Sequence, residues 1–228
     1  MTESAQEFYG RWARLYDLIA RRTPGIARLR DRAAAACRLD PGDTVVEMGC
    51  GTGANLPYLR ERVGPEGTVI GLDFTGPVLE RARAATAAYD NVHVLRGDAT
   101  RPPVGSEGSE GDAGEIDAVL ATFVAGMLED PADAVDDWCD LVGPDGTVVL
   151  ANAARSQEWY APPVNAVFRA IVVLSTPPTT KLRYEDDPHR RLDEKIDAAH
   201  ARLRERAIAV ADETHVFGVV RLTGGRLE

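Results

Sequence analysis

Lysine is nearly absent from this sequence: Lys181 and Lys195 are the only two in 228 residues, and arginine supplies the rest of the positive charge. Acidic residues outnumber basic ones by 36 to 26, for a formal net charge of −10. Such a surface disfavours nucleic acid as a partner, because phosphate contacts supply most of that affinity. Cysteine is scarce as well. Cys37, Cys50 and Cys139 are far apart, odd in number and without a C-x-x-C pair, so neither a disulfide framework nor a zinc site is expected. His93, His189, His200 and His215 are scattered, and no combination of serine, histidine and acid points to a nucleophilic triad. No metal and no catalytic base is therefore nominated; Tyr9, Tyr16 and His215 are weak candidates for the base. No apolar run approaches the roughly 20 residues of a membrane-spanning helix, and the most apolar stretch, Val164 to Leu174, is too short. No signal-peptide pattern opens the chain. The expectation is a reduced, cytoplasmic protein, with contact at a membrane surface and the oligomeric state left open.

What the chain does have is apolar material for a core, 44% of its residues, in a length that fits one α/β domain with an elaboration. It is organised around Val45-Val46-Glu47-Met48-Gly49-Cys50-Gly51-Thr52-Gly53-Ala54-Asn55. The apolar run from Thr44 to Met48 reads as a buried strand, and the stretch from about Ala54, with Leu56, Leu59 and Val63 on one side, reads as a helix. Between them stand three glycines at alternate positions. Glycine lets the backbone approach a ligand closely, and a helix start adds unpaired N–H groups. Strand, glycine loop and helix together form a nucleotide-type cradle. Gly49 to Ala54 also satisfies the dinucleotide pattern G-x-G-x-x-A. Glu47 argues against that ligand, because a pyrophosphate on this loop would meet a carboxylate two residues before the first glycine. A ligand carrying an ammonium and a sulfonium would be attracted to it. Cys50 reads as a small side chain rather than a nucleophile.

The remaining elements follow in alternation. Ser4 to Arg21 reads as a helix with a capping box at Ser4 and Glu7 and an apolar stripe of Phe8, Trp12, Leu15, Tyr16 and Ile19. Thr23-Pro24 opens a second helix that ends before Pro41. Strands are expected at Thr68 to Leu72, Val92 to Arg96, Ile116 to Thr122 and Thr147 to Ala151, with helices from Gly76 to about Tyr89 and from Pro131 to Leu141. Pro102 to Gly114 reads as a surface loop, and Gly143-Pro144-Asp145-Gly146 as a turn. Asp73 closes the second strand about twenty residues past Gly53, where an acid can accept from ribose hydroxyls, and Phe74 after it can pack on adenine. Ser156 to Pro188 breaks the alternation and holds Trp159, Tyr160 and Phe168; it reads as a lid over a substrate pocket or as an extension on the sheet edge. Arg191 to Arg206 is a charged amphipathic helix. Ala207 to Val216 and Gly218 to Thr223 form two strands whose tight junction allows only a hairpin, so one of them runs antiparallel.

Glu47-Met48-Gly49-Cys50-Gly51-Thr52-Gly53 closely resembles the first motif of class I S-adenosylmethionine-dependent methyltransferases, an acid followed by three alternate glycines. Phe8 to Asp17 resembles the opening of the subgroups that methylate quinone precursors and phosphatidylethanolamine; Gly53-Ala54-Asn55-Leu56-Pro57 is closer to the phospholipid subgroup and Phe217 to Gly225 to the quinone one. The resemblance implies an α/β fold, a Rossmann-like, doubly wound, mostly parallel sheet of seven strands in the order 3-2-1-4-5-7-6 with an antiparallel last strand. One methyltransferase domain would then span residues 1–228: a helical cap (1–42), a cofactor core (43–155), a lid (156–188) and a final helix and hairpin (189–228). It implies S-adenosylmethionine as cofactor, held by Glu47, Gly49, Cys50, Gly51, Gly53, Asn55, Asp73, Phe74, Asp98, Ala99 and Thr122, with Asp98 accepting from the adenine amino group. Tyr9, Trp12, Tyr16, Phe123, Trp159 and Tyr160 would face a small or lipid-like apolar acceptor. The alternatives are an NAD(P)-dependent oxidoreductase and a non-enzymatic S-adenosylmethionine-binding scaffold.

Overall fold

The central strands are apolar on both sides, and strands of that kind need helices on both faces. The computed structural model, which describes residues 25–104, 115–175 and 188–228, has that arrangement. In chain order its elements are α1 (Ile26–Ala36), β1 (Thr44–Met48), α2 (Leu56–Val63), β2 (Thr68–Asp73), α3 (Gly76–Thr86), β3 (Val92–Arg96), β4 (Ile116–Thr122), a 3-10 turn (Ala125–Met127), α4 (Pro131–Leu141), β5 (Val142–Ala153), α5 (Ala161–Ser175), α6 (Pro188–Arg206), β6 (Ala209–His215) and β7 (Val220–Arg226). The strands form a seven-stranded sheet in the order β3-β2-β1-β4-β5-β7-β6. β1 to β5 are mutually parallel, and β7 runs antiparallel to both β5 and β6, as the family resemblance implies.

Alternate side chains of each strand feed two cores. Val46, Met48, Leu72, Val119, Val148 and Leu150 pack with Trp138 of α4 and Leu203 of α6 on one face. Val45, Val69, Ala118, Leu120 and Val149 pack with Ala33 of α1, Leu56 and Leu59 of α2 and Leu79 of α3 on the other. α4 and α6 are also joined by charge, with Arg202 and Arg206 donating to Asp136 at 2.7 and 2.8 Å.

Several boundaries differ from the sequence expectation. The fifth strand begins at Val142, not Thr147: Val142 already pairs with Ile116, the next pair joins Ala118 to Thr147, and Gly143 to Gly146 bulge out between them. Pairing restarts as soon as α4 ends, so the expected turn sits inside the strand. At the final hairpin Val216, Phe217 and Gly218 all take left-handed φ values, 51°, 56° and 79°, and that wider turn delays β7 to Val220. The expected helix at Ser4 to Arg21, the cap at Thr23-Pro24, and most of the Pro102 to Gly114 loop lie outside the described residues. The broken region after β5 contains α5, with Ala161 and Phe168 turned inward and Val167 outward. Among the described residues no helix is long and apolar enough to cross a membrane.

The antiparallel end is tied to α6 by a buried histidine. His200 is fully covered. Thr223 donates its hydroxyl to Asp212 at 2.5 Å, so it accepts from His200 Nδ1–H at 2.7 Å, and Nε2 accepts from Asn152 Nδ2 at 3.3 Å. Both ring nitrogens are satisfied only in the neutral form. Burial, reinforced by Arg204 and Arg221, lowers its pKa from 6.5 to about 4. The unfolded chain then takes up a proton that the folded one refuses, so stability is complete above about pH 6.5 and falls as the pH drops towards about 4. The loss is expected to reach about 3 kcal/mol. Buried Glu47, whose pKa is raised from 4.5 to about 7, acts in the opposite direction over the same range, so the His200 contribution is read as a difference. Measured by urea denaturation, the unfolding free energy of His200→Gln relative to the unaltered protein should rise by about 3 kcal/mol between pH 7.5 and 4, whatever that variant costs at pH 7.5.

Candidate functional site

Strand order reverses between β1 and β4, and in open α/β sheets the crevice at such a switch point receives the ligand. Here the carboxyl ends of β1, β2, β3 and β4 converge, with Met48 beside Leu72 and Ala121 and Asp73 beside Arg96. The glycine loop follows β1 directly. Cys50 N–H donates to Leu72 O at 2.8 Å, carrying the β1–β2 ladder one residue into the loop, and Gly53 N–H closes a turn on Cys50 O at 2.9 Å.

Two of the glycines are needed for different reasons. Gly49 takes φ 69°, and a Cβ there would lie 2.3 Å from Val124 Cγ2. Gly51 takes φ 54° with nothing within 4 Å of where its Cβ would be: the described residues leave the space above the middle of the loop open. Cys50 is buried, and burial, aided by Glu47 and Asp73, pushes its thiol pKa well up, which suits a packing role and not a nucleophile.

Asp73 clamps the crevice from β2. Its Oδ2 accepts from Gly51 N–H at 3.0 Å and its Oδ1 from Thr75 N–H at 2.8 Å. Each oxygen keeps a second lone pair for a ligand hydroxyl. Phe74 is half-buried beside it, with its carbonyl held by Arg96 Nε at 3.1 Å. Asp98 spends Oδ1 on Thr100, accepting from its N–H at 2.9 Å and its hydroxyl at 2.8 Å, which fixes the turn after β3. The carbonyl of Ala99 accepts from Trp138 Nε1 at 2.7 Å. That brace from α4 is absent from the sequence reading, where Trp138 is one residue of a helix.

Glu47 is the unusual member. It has no exposed surface. Its Oε1 accepts from Asn55 Nδ2 at 2.5 Å and from the Thr122 hydroxyl at 3.2 Å, while the second Asn55 amide hydrogen reaches Thr122 Oγ1 at 2.9 Å. Oε2 is buried and has no hydrogen-bond partner among the described residues. Burial raises the Glu47 pKa to about 7 against the pull of Asn55 and Thr122. Sequence reasoning assigns Asn55 and Thr122 to the cofactor; in the structure the Asn55 amide nitrogen and the Thr122 hydroxyl donate to Glu47.

Phe123 follows Thr122 in a left-handed conformation, φ 59°, with its N–H donated to Ala151 O at 2.7 Å. This strained geometry ends β4 abruptly and carries Val124 back over Gly49. Trp159 and Tyr160 touch edge to face with ring centroids 5.4 Å apart, and Trp159 is 90% exposed. Tyr9, Trp12 and Tyr16 lie outside them. Two cavities of about 230 and 200 Å³ lie elsewhere, one around Arg155, Asn165 and Asp193 and the other between α1 and β6. Among the described residues no cluster of His, Cys, Asp or Glu could hold a metal.

The fit to a cationic nucleoside is consistent on three counts: the open space over Gly51, the spare lone pairs of Asp73, and the buried, unpartnered Glu47 Oε2 that a cation would satisfy. Comparison with known proteins agrees. Residues 18–209 match the family described as methyltransferase domain. Nocamycin O-methyltransferase of Saccharothrix syringae is 36% identical over 139 residues, covering 58% of this chain and 47% of that protein. The 2-phytyl-1,4-naphtoquinone methyltransferase of Thermosynechococcus vestitus is 32% identical over 130 residues, 54% of this chain and 55% of its own. The chain thus spans about half the length of these curated relatives. A SAM-dependent methyltransferase from Aquifex aeolicus shares the fold, with a TM-score of 0.57 at 17% identity over 90% of this chain and 94% of the other.

Gly49→Ala adds backbone strain and a clash with Val124, and should lower the unfolding free energy by about 2–4 kcal/mol. Gly51→Ala adds strain alone, about 1–2 kcal/mol, while its methyl enters the open space. Urea denaturation beside ligand titration should therefore show the first variant losing mainly stability and the second mainly affinity.

Proposed function

The chain belongs to the class I S-adenosylmethionine-dependent methyltransferase family, and on that premise we propose that it transfers a methyl group from S-adenosylmethionine to a small or lipid-like apolar acceptor. The observation that carries the reading is the buried Glu47 carboxylate with one oxygen unpartnered. Beside a glycine loop, such a group favours a cationic ligand and opposes the pyrophosphate of a dinucleotide. In this reading Gly49, Gly51 and Gly53 let the cofactor approach, with Cys50 between them, Asp73 accepts from the ribose hydroxyls, Phe74 flanks the adenine, and Asp98 and Ala99 meet its edge. Glu47 faces the amino group.

Bound there, the cofactor supplies a methyl group already activated on a sulfonium. The protein's own task is to align the acceptor and keep water out, and alignment alone can be worth roughly 7–11 kcal/mol. This accounts for a family site without a nominated base. The acceptor class is supported by the names of the relatives, one acting on nocamycin and another on a phytyl naphthoquinone. It is supported also by the aromatic side chains outside the cofactor motifs: Phe123 at the end of β4, Trp159 and Tyr160 before α5, and Tyr9, Trp12 and Tyr16 in the first stretch. An apolar pocket with few polar anchors is the common form of a small-molecule site.

Thermal shift measurements decide the cofactor. S-adenosylmethionine or S-adenosylhomocysteine at a hundred times its dissociation constant should stabilise the fold by about 2.7 kcal/mol. A shift with NAD or NADP alone would make the protein an oxidoreductase instead. Transfer of labelled methyl should then be screened over quinol precursors, aminophospholipids, small amines and tRNA. Label should appear in an apolar acceptor and kcat/KM should fall about tenfold in Trp159→Ala with cofactor affinity unchanged. Label in tRNA alone would refute the acceptor class.

A further inference from the structure

The Glu47 carboxylate is used unevenly. Among the described residues Oε1 receives two hydrogen bonds and Oε2 none. Both donors come from chain segments that also border the crevice: Asn55 ends the glycine loop and Thr122 ends β4. Asn55 is itself buried and Thr122 half-buried, and the three polar groups close a triangle through the 2.9 Å Asn55–Thr122 contact. We infer that Asn55 and Thr122 are positioning residues, which orient Glu47 and hold its charge so that Oε2 alone is presented to the amino group of the cofactor. The inference rests on the cofactor reading above and assigns to these two residues a role through Glu47 in place of contact with the ligand.

A consequence follows from where a proton can go. With Oε1 occupied by two donors, a proton arriving on Glu47 must sit on Oε2. There it turns the only free acceptor into a donor that repels an ammonium. Protonation and binding of the amino group are therefore mutually exclusive. The neighbouring charges are mixed: Arg30 on α1 favours the ionised carboxylate and Asp73 at the end of β2 disfavours it. The thiols of Cys37 after α1 and Cys50 in the loop are buried with raised pKa values, and so are uncharged. Against burial, the Asn55 amide and the Thr122 hydroxyl are the two largest influences that keep the charge. Removing either raises the pH at which Glu47 ionises.

Calorimetric titration of S-adenosylhomocysteine and of 5′-methylthioadenosine, which has the nucleoside and the sulfur but no amino acid, tests this from pH 6 to 8.5. In the unaltered protein the first ligand should bind about tenfold more tightly at pH 8 than at pH 6, and the second should change less than about twofold. In Asn55→Ala and Thr122→Val the dissociation constant for S-adenosylhomocysteine should rise relative to the unaltered protein by about ninefold at pH 6 and by less than about twofold at pH 8.5, for a one-unit rise in the Glu47 pKa. Thr122→Ser, which keeps the hydroxyl, should behave as the unaltered protein. A variant-to-parent ratio that is the same at every pH would mean a merely structural role and overturn the inference. So would equal pH profiles for the two ligands in the unaltered protein, a comparison that needs no variant to fold. If the unaltered protein bound neither ligand, the cofactor reading itself would fall.

Discussion

The structure depends on a carboxylate placed where water cannot reach it. Burying an unpaired charge costs several kcal/mol, so a fold that keeps Glu47 without exposed surface must surround it with compensation. The position is set by register. Val45 packs in the α1–α3 layer, and Glu47, two residues further along the strand, turns to the same side. β1 is an interior strand, between β2 and β4 and covered on both faces, and its end is covered as well. The start of α2 brings Asn55 there and the end of β4 brings Thr122. Among the described residues only one oxygen is compensated, and the other is left buried without a hydrogen-bond partner.

The remaining geometry of the crevice serves to keep this arrangement in place. Asp73 ties the glycine loop to β2 through Gly51 and to the start of α3 through Thr75, so the carboxylate at the mouth of the crevice also fixes the backbone around it. The left-handed turn at Phe123 brings Val124 over Gly49, which leaves no room for a side chain at the first loop position. Trp138 holds Ala99 from the opposite layer. Strain at Phe123 is borne because its N–H continues the ladder to Ala151 and because the strands on either side are fully packed. Positioning of this kind costs no reorganisation when the ligand arrives, which is the condition for efficient catalysis by alignment.

Much of this is legible in the sequence because it is local. The alternation of apolar runs and amphipathic stretches predicts β3 and β4 at their observed limits and α4 to the residue. The acid-and-glycine motif predicts the cradle, and the spacing to Asp73 predicts the second clamp. What the sequence does not disclose depends on distant partners. Thr122 and Glu47 are 75 residues apart, Asn55 and Thr122 are 67 apart, and Trp138 and Ala99 are 39 apart. A side chain beside a ligand motif reads as a ligand contact, and only the fold shows that Asn55 and Thr122 face Glu47. The same holds for Val142, which resumes pairing because Ile116 lies beside it, and for Trp159, whose exposure no periodicity could convey.

The crevice at the glycine loop and the flank beside α5 are built by different means. The part around the glycine loop is made of strand ends and a loop held by ladder hydrogen bonds and by the Asp73 carboxylate, so few of its residues can be exchanged without moving the backbone. The side towards α5 lies beyond the last parallel strand, where β5 meets the antiparallel β7. There the connections are carried by side chains: Asn165 exchanges hydrogen bonds with both backbone groups of Ser156 at 2.8 and 3.0 Å, and Arg155 pairs with Asp193 of α6. Contacts of that type can be exchanged by substitution without disturbing the sheet. A crevice fixed by the sheet, beside a flank built from side-chain contacts, separates the part of the fold that must stay constant from the part that can vary.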